Sequence, residues 1–303
     1  MIVAFAGRRV LPSTSLALHA SMNSIQRYMA ARLAEPSREQ RVLVVLPAYN
    51  EAESLPLLFA RFRESSSLIG PLEILVVDDG SQDGTESVAR EAAGPLPVRV
   101  ESHPHNRGLG AALLTGLRAA MFEADIVVTM DADDSHDPAT IPLMINRLNE
   151  GFDVVIASRF QEGGEEVGVS PHRRLLSHSA STILGLVAGV EGARDYSCGF
   201  RAYRSHFLRR LLHEVGEENL VRETGFACMV ELLLRASAHG ARITEVPLVL
   251  RYDRKQSSSK IRIVRTIVRY GVVLTRHLAS RGWNSLSHRG GLRRLAGYSD
   301  HAR

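Results

Sequence analysis

The stretch IVVTMDADDSHDP, Ile126 to Pro138, joins a short apolar run to four aspartates within seven residues. Its first three residues are apolar and β-branched, the pattern of a strand that is buried on both faces. The aspartates follow almost at once, and like charges this close raise each other's pKa unless a cation lies between them. The stretch therefore predicts a buried strand whose end needs a compensating positive charge.

The same alternation extends along the chain on both sides of this stretch. Strands separated by helices indicate an α/β fold with a mostly parallel sheet. Apolar runs that predict strands occupy 42–46, 74–77, the surroundings of Val98, 126–130 and 154–157. Helical patterns occupy 51–64, a segment that starts near Thr85, 108–121 and a segment from Pro138 to about Asn149.

Polar clusters follow four of these predicted strands, over 48–51, 78–83, 131–137 and 158–159. Ligands of open parallel sheets bind beyond the carboxyl ends of the strands. Because all four clusters fall at such ends, the sequence predicts one binding site along that edge of the sheet.

Composition limits the classes of protein that the chain can belong to. With 303 residues and 45% hydrophobic content, the chain can bury a full core as one large or two small domains. Its two cysteines, Cys198 and Cys228, lack metal-ligand spacing, so neither a disulfide framework nor a zinc site is expected. The net charge is +4, with the basic residues gathered after Arg251. This uneven charge predicts an anionic surface or substrate near the C-terminal region.

The two ends of the chain differ from the middle. Residues 1–40 carry no acidic residue before Glu35, which is compatible with a targeting segment, a disordered extension or an upstream start codon. We expect a disordered extension over 1–40 and a disordered basic tail over 282–303. No apolar run reaches the roughly 18 residues of a membrane span.

The aspartate pattern favours one kind of metal. A calcium loop that began at Asp131 would need Gly at its sixth position, where His136 stands, and Glu at its twelfth, where Pro142 stands. What remains is the pair Asp131 and Asp133, two residues apart at the end of an extended segment. A few hard oxygen ligands suit Mg²⁺ or Mn²⁺ that also binds substrate phosphates.

Other motifs leave alternatives open. Asp78-Asp79 could bind a base or ribose, or could be the acidic strand end of a receiver domain, although such a domain is about half this size. The glycine-rich segment 106–110 is a weak dinucleotide fingerprint, because Leu113 stands where a glycine is needed. Asp137, just before Pro138, is interpreted as a helix cap, and the role of Asp134 stays open.

Several motifs, in one order, resemble family 2 glycosyltransferases of the GT-A fold. Those that carry the family resemblance are Leu46–Glu51, Val77–Thr85, Asn106–Ala112 and Asp131–Asp133. Those that make it similar to the dolichol-phosphate (polyprenyl-phosphate) mannosyltransferase branch are Ser158-Arg159, Arg173–Ser177, Gly199–Arg204, Asp253-Arg254 and Ser259–Ile261. The resemblance covers about residues 41–261. It implies a GT-A domain over 41–252, followed over 253–281 by a closing loop and a basic amphipathic helix.

The resemblance also implies site residues. The nucleotide sugar would be bound by Pro47, Tyr49, Glu51, Asp79, Asp131, Ala132 and Asp133. The metal, Mg²⁺ or Mn²⁺, would be bound by Asp131, Asp133 and Ser135. The acceptor phosphate would be bound by Arg159, Arg173 and Ser177, and Arg254 and Lys260 would close over the diphosphate. The residues expected to carry catalysis are Asp133, Arg159, Arg254 and Lys260.

The implied reaction moves mannose or another hexose from a GDP- or UDP-sugar to a polyprenyl or dolichyl phosphate, with inversion. A lipid phosphate is already anionic, so it needs positioning more than a general base. A soluble, polysaccharide or natural-product hydroxyl acceptor is the alternative, and it would need a base, for which Glu223 and Glu231 are candidates. We interpret Glu231 as structural. A nucleotide-sugar sensor or scaffold is the non-enzymatic alternative.

The basic helix predicted over 260–280 has two faces. One face carries Ile261, Val264, Val268 and Val272, and the opposite sector carries Arg262, Arg265, Arg269 and Arg276. The arginine face is either solvated or rests on anionic lipid, where the apolar segment 185–190 would join it. We therefore expect a cytoplasmic protein, peripheral on the cytoplasmic face of the membrane in the second interpretation, and no nucleic-acid partner.

Overall fold

The structure is a computed structural model, and it describes residues 40–70, 72–256 and 264–279. The strands are β1 Val42–Ala48, β2 Leu72–Asp78, β3 Val98–Ser102, β4 Ile126–Thr129, β5 Val154–Ser158, β6 Glu165–Val167, β7 Arg201–Arg204, β8 Ile243–Pro247 and β9 Val249–Arg251. The helices are α1 Leu55–Ile69, α2 Thr85–Ala92, α3 Leu109–Glu123, α4 Ile141–Asn149, α5 Pro171–Ala188, α6 Ser205–Val215, α7 Glu217–Leu220, α8 Ala227–Ala238 and α9, residues 264–279. Short 3₁₀ turns cover Pro138–Thr140 and Tyr252–Arg254.

Seven strands form one sheet in the order β3-β2-β1-β4-β7-β5-β8. All neighbours are parallel except β7, which runs antiparallel to both β4 and β5. The two remaining strands, β6 and β9, pair in parallel with each other. The mostly parallel α/β sheet flanked by helices that the sequence predicts is thus confirmed.

The sheet is buried on both faces, as its continuous apolar runs require. Strand β4 is buried at every position, and so is β5. Helix α3 packs so closely on β1 that a Cβ added at Gly116 would lie 2.2 Å from Val45 Cγ1. The core also contains Arg201, whose guanidinium donates 2.7 Å hydrogen bonds to the carbonyls of Tyr196 and Met229. Those bonds join β7 to the loop before it and to α8.

This topology brings the polar clusters together. The carboxyl ends of β2, β1, β4 and β5 point toward the same edge of the sheet because these strands are parallel within it. Strand β7 runs the other way, so its amino end, preceded by Gly199, reaches that same edge. A Cβ at Gly199 would lie 3.0 Å from Asp131 Oδ1.

Two helix starts differ from the sequence prediction. Helix α1 begins at Leu55 and not at Glu51, because 51–54 form a turn in which Ser54 N donates to the Glu51 carbonyl at 3.1 Å. Helix α4 begins at Ile141, after the short 3₁₀ turn. The predicted cap is confirmed, since the Asp137 side chain accepts a 3.0 Å hydrogen bond from Ala139 N.

Some predicted segments lie outside the described residues: 1–39 of the N-terminal extension, the tail 282–303, and Lys260 in the closing loop. Across 40–70, 72–256 and 264–279, no helix combines the length and apolar character that crossing a bilayer requires.

Candidate active site

A cavity of about 1040 Å³ opens at the carboxyl edge of the sheet. Its volume is at the upper end of the range for small-molecule sites. The sequence-predicted residues that line it are Pro47, Tyr49, Glu51, Asp79, Asp131, Ala132, Asp133, Ser135, Arg159, Arg173 and Ser177. The structure therefore brings the predicted nucleotide, metal and acceptor residues to one cavity.

The loop after β1 is held in place by the aspartate-rich loop after β2. Glu51 N donates to Thr85 Oγ1 at 2.9 Å, and Ala52 N donates to Asp83 Oδ2 at 3.0 Å. The Asn50 side chain accepts from Gln82 N at 2.9 Å. These side-chain-to-backbone bonds explain why the polar string after β2 is needed, because it fixes the backbone that presents Tyr49 and Glu51.

Asp79 is committed to the next loop. Its carboxylate accepts hydrogen bonds from Arg107 N at 2.9 Å and from Gly108 N at 2.7 Å, and it contacts His103 Nδ1 at 2.7 Å. Gly80 follows at φ +71°, where an added Cβ would lie 2.5 Å from the His105 backbone. Asp79 thus holds the glycine-rich loop against the cavity.

The aspartates of the opening stretch separate into distinct roles. Asp134 adopts φ 61° and forms a buried pair with Arg61, whose Nε lies 2.7 Å from Asp134 Oδ1. It therefore points away from the cavity and has a structural role. Asp131 and Asp133 line the cavity.

Asp131 forms no ion pair with another described residue within salt-bridge distance. Within the described part of the chain, its carboxylate accepts no hydrogen bond. Burial raises the pKa of Asp131, and the neighbouring Asp133 carboxylate raises it further, against the opposing effect of His136. A partly exposed carboxylate that lines the cavity in this setting fits a cation-binding site.

Asp133 is held on both sides. Ser135 donates to Asp133 Oδ1 through its hydroxyl at 2.5 Å and through its backbone N–H at 3.1 Å. The Lys255 ammonium contacts the other oxygen, Oδ2. Burial alone would raise the pKa of Asp133, but Lys255 and His136 outweigh it, so the pKa is lowered. The sequence prediction missed Lys255.

These residues fit a divalent metal that two carboxylates hold in part. Among the described residues, no group of three or more His, Cys, Asp or Glu side chains could hold a metal by itself. The donor set therefore suits Mg²⁺ or Mn²⁺ whose remaining ligands are substrate oxygens and water.

Arg159 lies at the centre of a charged cluster on the other side of the cavity. Its Nε and Nη2 donate to the two oxygens of Asp195 at 2.7 and 2.8 Å, in a bidentate pair. Its Nη1 donates to Glu166 and to Ser177, both at 3.1 Å. Because two carboxylates surround the Arg159 guanidinium, these three side chains carry no net positive charge. The bond to Ser177 means that Arg159 also orients the Ser177 hydroxyl.

Arg173 supplies positive charge beside that cluster. Its Nη1 donates to the Tyr252 hydroxyl at 2.8 Å, and its guanidinium lies 5.0 Å from the centre of the Tyr252 ring. Tyr252 was not predicted as a site residue. The same ring lies 5.9 Å from Lys255 Nζ, so Tyr252 connects the acceptor-side arginine with the metal-side lysine.

Arg254 is not among the residues that line the cavity. Its Nη1 lies 3.7 Å from Oδ2 of Asp137, the residue that caps the 3₁₀ turn Pro138–Thr140. Its predicted position over the diphosphate is therefore not the position that it has here. Its predicted partner in the closing loop, Lys260, lies outside the described residues.

Helices α5 and α9 form an apolar wall that continues the cavity from Arg173 and Ser177. Its apolar members that line the cavity are Leu176, Ala180 and Leu184 of α5, with Ile267 and Tyr270 of α9; the polar side chains of α9 that line it are Arg265, Thr266 and Arg269. Beyond the cavity, apolar side chains of the same two helices are exposed: Leu175, Ile183, Leu186, Val264 and Val268. The polar cavity thus opens onto an apolar surface.

Two members of the predicted arginine face of α9, Arg269 and Arg276, are nearly half exposed and also pair with a buried carboxylate that the sequence prediction did not place there. Arg269 forms a bidentate pair with Glu223 at 2.7 and 2.6 Å, and Arg276 adds a bond at 2.9 Å. Glu223 is buried, and a buried carboxylate needs compensating charge. Two arginines hold this carboxylate, which argues against Glu223 as a general base.

Glu231 has the structural role that the sequence predicts. It accepts hydrogen bonds from Arg222 N at 2.7 Å and Glu223 N at 2.8 Å, and Arg235 donates to it at 2.7 Å. Glu231 thereby fixes the segment that carries Glu223.

Several site residues could not be found from the sequence. Asp195 and Glu166 carry no motif, and they are recognisable only through the need of Arg159 for counter-charges. Lys255 had one signal, its place beside Arg254 in a basic segment, but Lys260 fitted the family pattern better.

Comparison with known proteins agrees with this site. A model of the family described as Glycosyl transferase family 2 matches residues 43–212. The chain is 37% identical over 226 residues to polyprenol monophosphomannose synthase of Mycolicibacterium smegmatis, covering 73% of this chain and 81% of the relative. It is 34% identical over 260 residues to undecaprenyl-phosphate mannosyltransferase of Micrococcus luteus, covering 83% of this chain and 100% of the relative.

A solved structure shares the fold. The crystal structure of glucosyl-3-phosphoglycerate synthase from Mycobacterium tuberculosis, in complex with Mn²⁺, UDP and glucosyl-3-phosphoglycerate, superposes with a TM-score of 0.60 at 22% identity. The match covers 78% of this chain and 80% of that one. The family match and the two relatives together show that the chain belongs to glycosyltransferase family 2 and is a glycosyltransferase of the GT-A fold.

Proposed function

We propose that the protein transfers a hexose, mannose in the first instance, from a nucleotide sugar to a polyprenyl phosphate. The observation that carries this proposal is the continuity of the cavity. It runs from Asp131 and Asp133 past Arg173 and Ser177 to the apolar wall of α5 and α9. A phosphate attached to a long apolar chain would fit this cavity, with the phosphate at Arg173 and Ser177 and the chain along the apolar wall.

The donor would lie at the β1, β2 and β4 ends. The nucleoside would be bound by Pro47, Tyr49, Glu51 and Asp79, beside the glycine-rich segment 106–110 that Asp79 holds in place. Mg²⁺ or Mn²⁺ on Asp131 and Asp133, with Ser135 as a ligand or as the group that orients Asp133, would neutralise the diphosphate. Arg254 and Lys260 would have to move toward the diphosphate when the donor binds.

The acceptor phosphate would be positioned by Arg173, whose guanidinium faces the cavity, and by Ser177. Arg159 would keep Ser177 and the charged cluster in place. Because the phosphate is anionic at neutral pH, positioning alone would bring one oxygen in line with the anomeric carbon. The reaction would be a single displacement with inversion. This reaction needs no general base, which agrees with the pairing of Glu223 to two arginines.

The two relatives support the lipid acceptor, since one is named a polyprenol monophosphomannose synthase and the other an undecaprenyl-phosphate mannosyltransferase. The exposed apolar side chains of α5 and α9 support a peripheral position on a membrane, and the cytoplasmic face is part of the proposal. In that position these helices would enter the interface, and the cavity mouth would face the lipid headgroups.

The proposal is tested by the choice of acceptor. Purified protein is incubated with GDP- and UDP-hexoses, Mg²⁺ or Mn²⁺, and either polyprenyl phosphate or a panel of soluble sugars and phosphoglycerate. We expect label in the lipid product alone, with inverted anomeric configuration by NMR. Label in a soluble product, with none in lipid, would refute the lipid acceptor.

A further inference from the structure

Lys255 occupies a position that the proposed metal site leaves unexplained. Its ammonium contacts Asp133 Oδ2, and the side chains of Lys255 and Asp133 are only 11% and 10% exposed. The other oxygen of Asp133 is taken by Ser135. Lys255 thus covers the part of Asp133 that is left for a further ligand.

The backbone and the ring of Tyr252 hold Lys255 there. Arg251 N donates to the Ser135 carbonyl at 2.9 Å, which fixes the start of the segment against the Asp133 loop. The 3₁₀ turn Tyr252–Arg254 then directs the next residue, Lys255, back into the cavity. A lysine that reaches a buried aspartate through this arrangement is a defined contact and not a loose surface pair.

Other carboxylates share the cavity with Lys255. Asp131 and Glu51 line it together with Asp133 and Lys255. In the described part of the chain, Lys255 is the one lysine or arginine that forms an ion pair with Asp131 or Asp133. Its charge therefore stabilises the carboxylates while no metal is bound.

We infer that Lys255 is a placeholder cation, which neutralises the metal site of the free protein and is displaced when the metal–nucleotide complex binds. The inference rests on the proposed metal site at Asp131 and Asp133. Since the ammonium and the metal compete for Asp133, metal alone should bind weakly. A diphosphate that arrives with the metal gives the displaced ammonium a new anionic partner, so nucleotide should strengthen metal binding.

The test measures Mn²⁺ affinity by electron paramagnetic resonance, without nucleotide and with GDP or UDP. In Lys255→Met, Mn²⁺ should bind about ten- to a hundredfold more tightly without nucleotide, the range that loss of one charged hydrogen-bond competitor predicts. The gain in affinity that nucleotide causes should shrink by a similar factor. Lys255→Gln, measured alongside, should behave like Lys255→Met. Lys255→Arg, which keeps the charge, should stay within about threefold of the wild type.

Arg251→Met is the matched control. It removes one positive charge from the same segment, but Arg251 pairs with Asp253 on the surface and does not contact Asp133. Its effect on Mn²⁺ affinity should be less than about twofold, because solvent screens it. Thermal melting of each variant verifies that it is folded.

The outcomes separate the inference from the proposed function. If both uncharged variants bind Mn²⁺ no more tightly than the wild type, the placeholder role is refuted while the metal site stands. If Arg251→Met strengthens binding as much as Lys255→Met, general charge explains the effect and the contact does not. If Mn²⁺ binds to neither the wild type nor any variant, with or without nucleotide, the metal site itself is refuted, and the inference with it.

Discussion

The buried pair between Asp195 and Arg159 should be a main support of the acceptor side of the cavity. Asp195 is fully buried, and it accepts two bonds of 2.7 and 2.8 Å from the guanidinium and one of 3.1 Å from Cys198 N. Asp195→Asn removes the charge and leaves the shape. Breaking one side of a buried pair costs about 3–5 kcal/mol. Because asparagine keeps an acceptor oxygen and Glu166 still faces Arg159, we expect a loss of about 3 kcal/mol in the free energy of unfolding.

The assay is urea unfolding of wild type and variant, followed by circular dichroism between pH 7 and pH 3. Burial alone would raise the pKa of Asp195, but Arg159 outweighs it and the pKa is lowered. The stabilisation is therefore complete above the unfolded aspartate pKa of about 3.9 and is lost as the pH falls through the lower folded value. The difference in the free energy of unfolding between wild type and Asp195→Asn should therefore become smaller below about pH 4.

The matched control is Glu86→Gln, which breaks the exposed pair with Arg90. It should change the free energy of unfolding by less than about 1 kcal/mol. A loss for Asp195→Asn no larger than that of the control, or a difference that does not depend on pH, would refute the reasoning.

Two further predictions concern the loop at Glu223 and Thr224, which contacts both α3 and α9. In Gly110→Ala the new Cβ would lie 1.7 Å from the Glu223 carbonyl oxygen, so the backbone must shift. We expect the free energy of unfolding, measured by thermal denaturation, to fall by about 1–3 kcal/mol. The control is Gly225→Ala, because no atom of the described residues beyond its chain neighbours lies within 4 Å of the new Cβ. Equal losses in the two variants would contradict the packing argument. Glu223→Gln should weaken the ion pairs with Arg269 and Arg276. The rate of amide hydrogen exchange across 264–279 should then rise about tenfold. The increase is modest because both arginines are nearly half exposed. Unchanged exchange would show that apolar packing alone holds α9.

The sequence predicts the central sheet well because its signals are local. Apolar runs identify buried strands such as β1 and β4, and parallel pairing then places the polar loops along one edge. The cap at Asp137 is equally local, since it depends on the next two residues. The four-aspartate stretch resolves into a cavity pair, a buried partner of Arg61 and a helix cap, and only the second of these needed the structure.

What the sequence could not predict depends on residues far apart in the chain. The sequence presents Arg159 as a phosphate-binding cation, and only the structure shows Asp195 and Glu166 beside it. The sequence presents an arginine face on α9, and only the structure shows that Arg269 and Arg276 also pair with the buried Glu223. In both cases a buried charge selects a partner whose position only the tertiary fold defines.

We propose that Asp131 and Asp133 form the metal–diphosphate end of a cavity whose other end takes a lipid phosphate. The most direct measurement is the initial rate of hexose transfer from the nucleotide sugar to polyprenyl phosphate by wild type and Asp133→Asn, with the lipid product identified by mass spectrometry. We expect a polyprenyl-phosphate hexose from the wild type and a rate lower by at least about a hundredfold in the variant, with the fold retained. A variant as active as the wild type, or a wild type that glycosylates no lipid phosphate, would contradict this proposal.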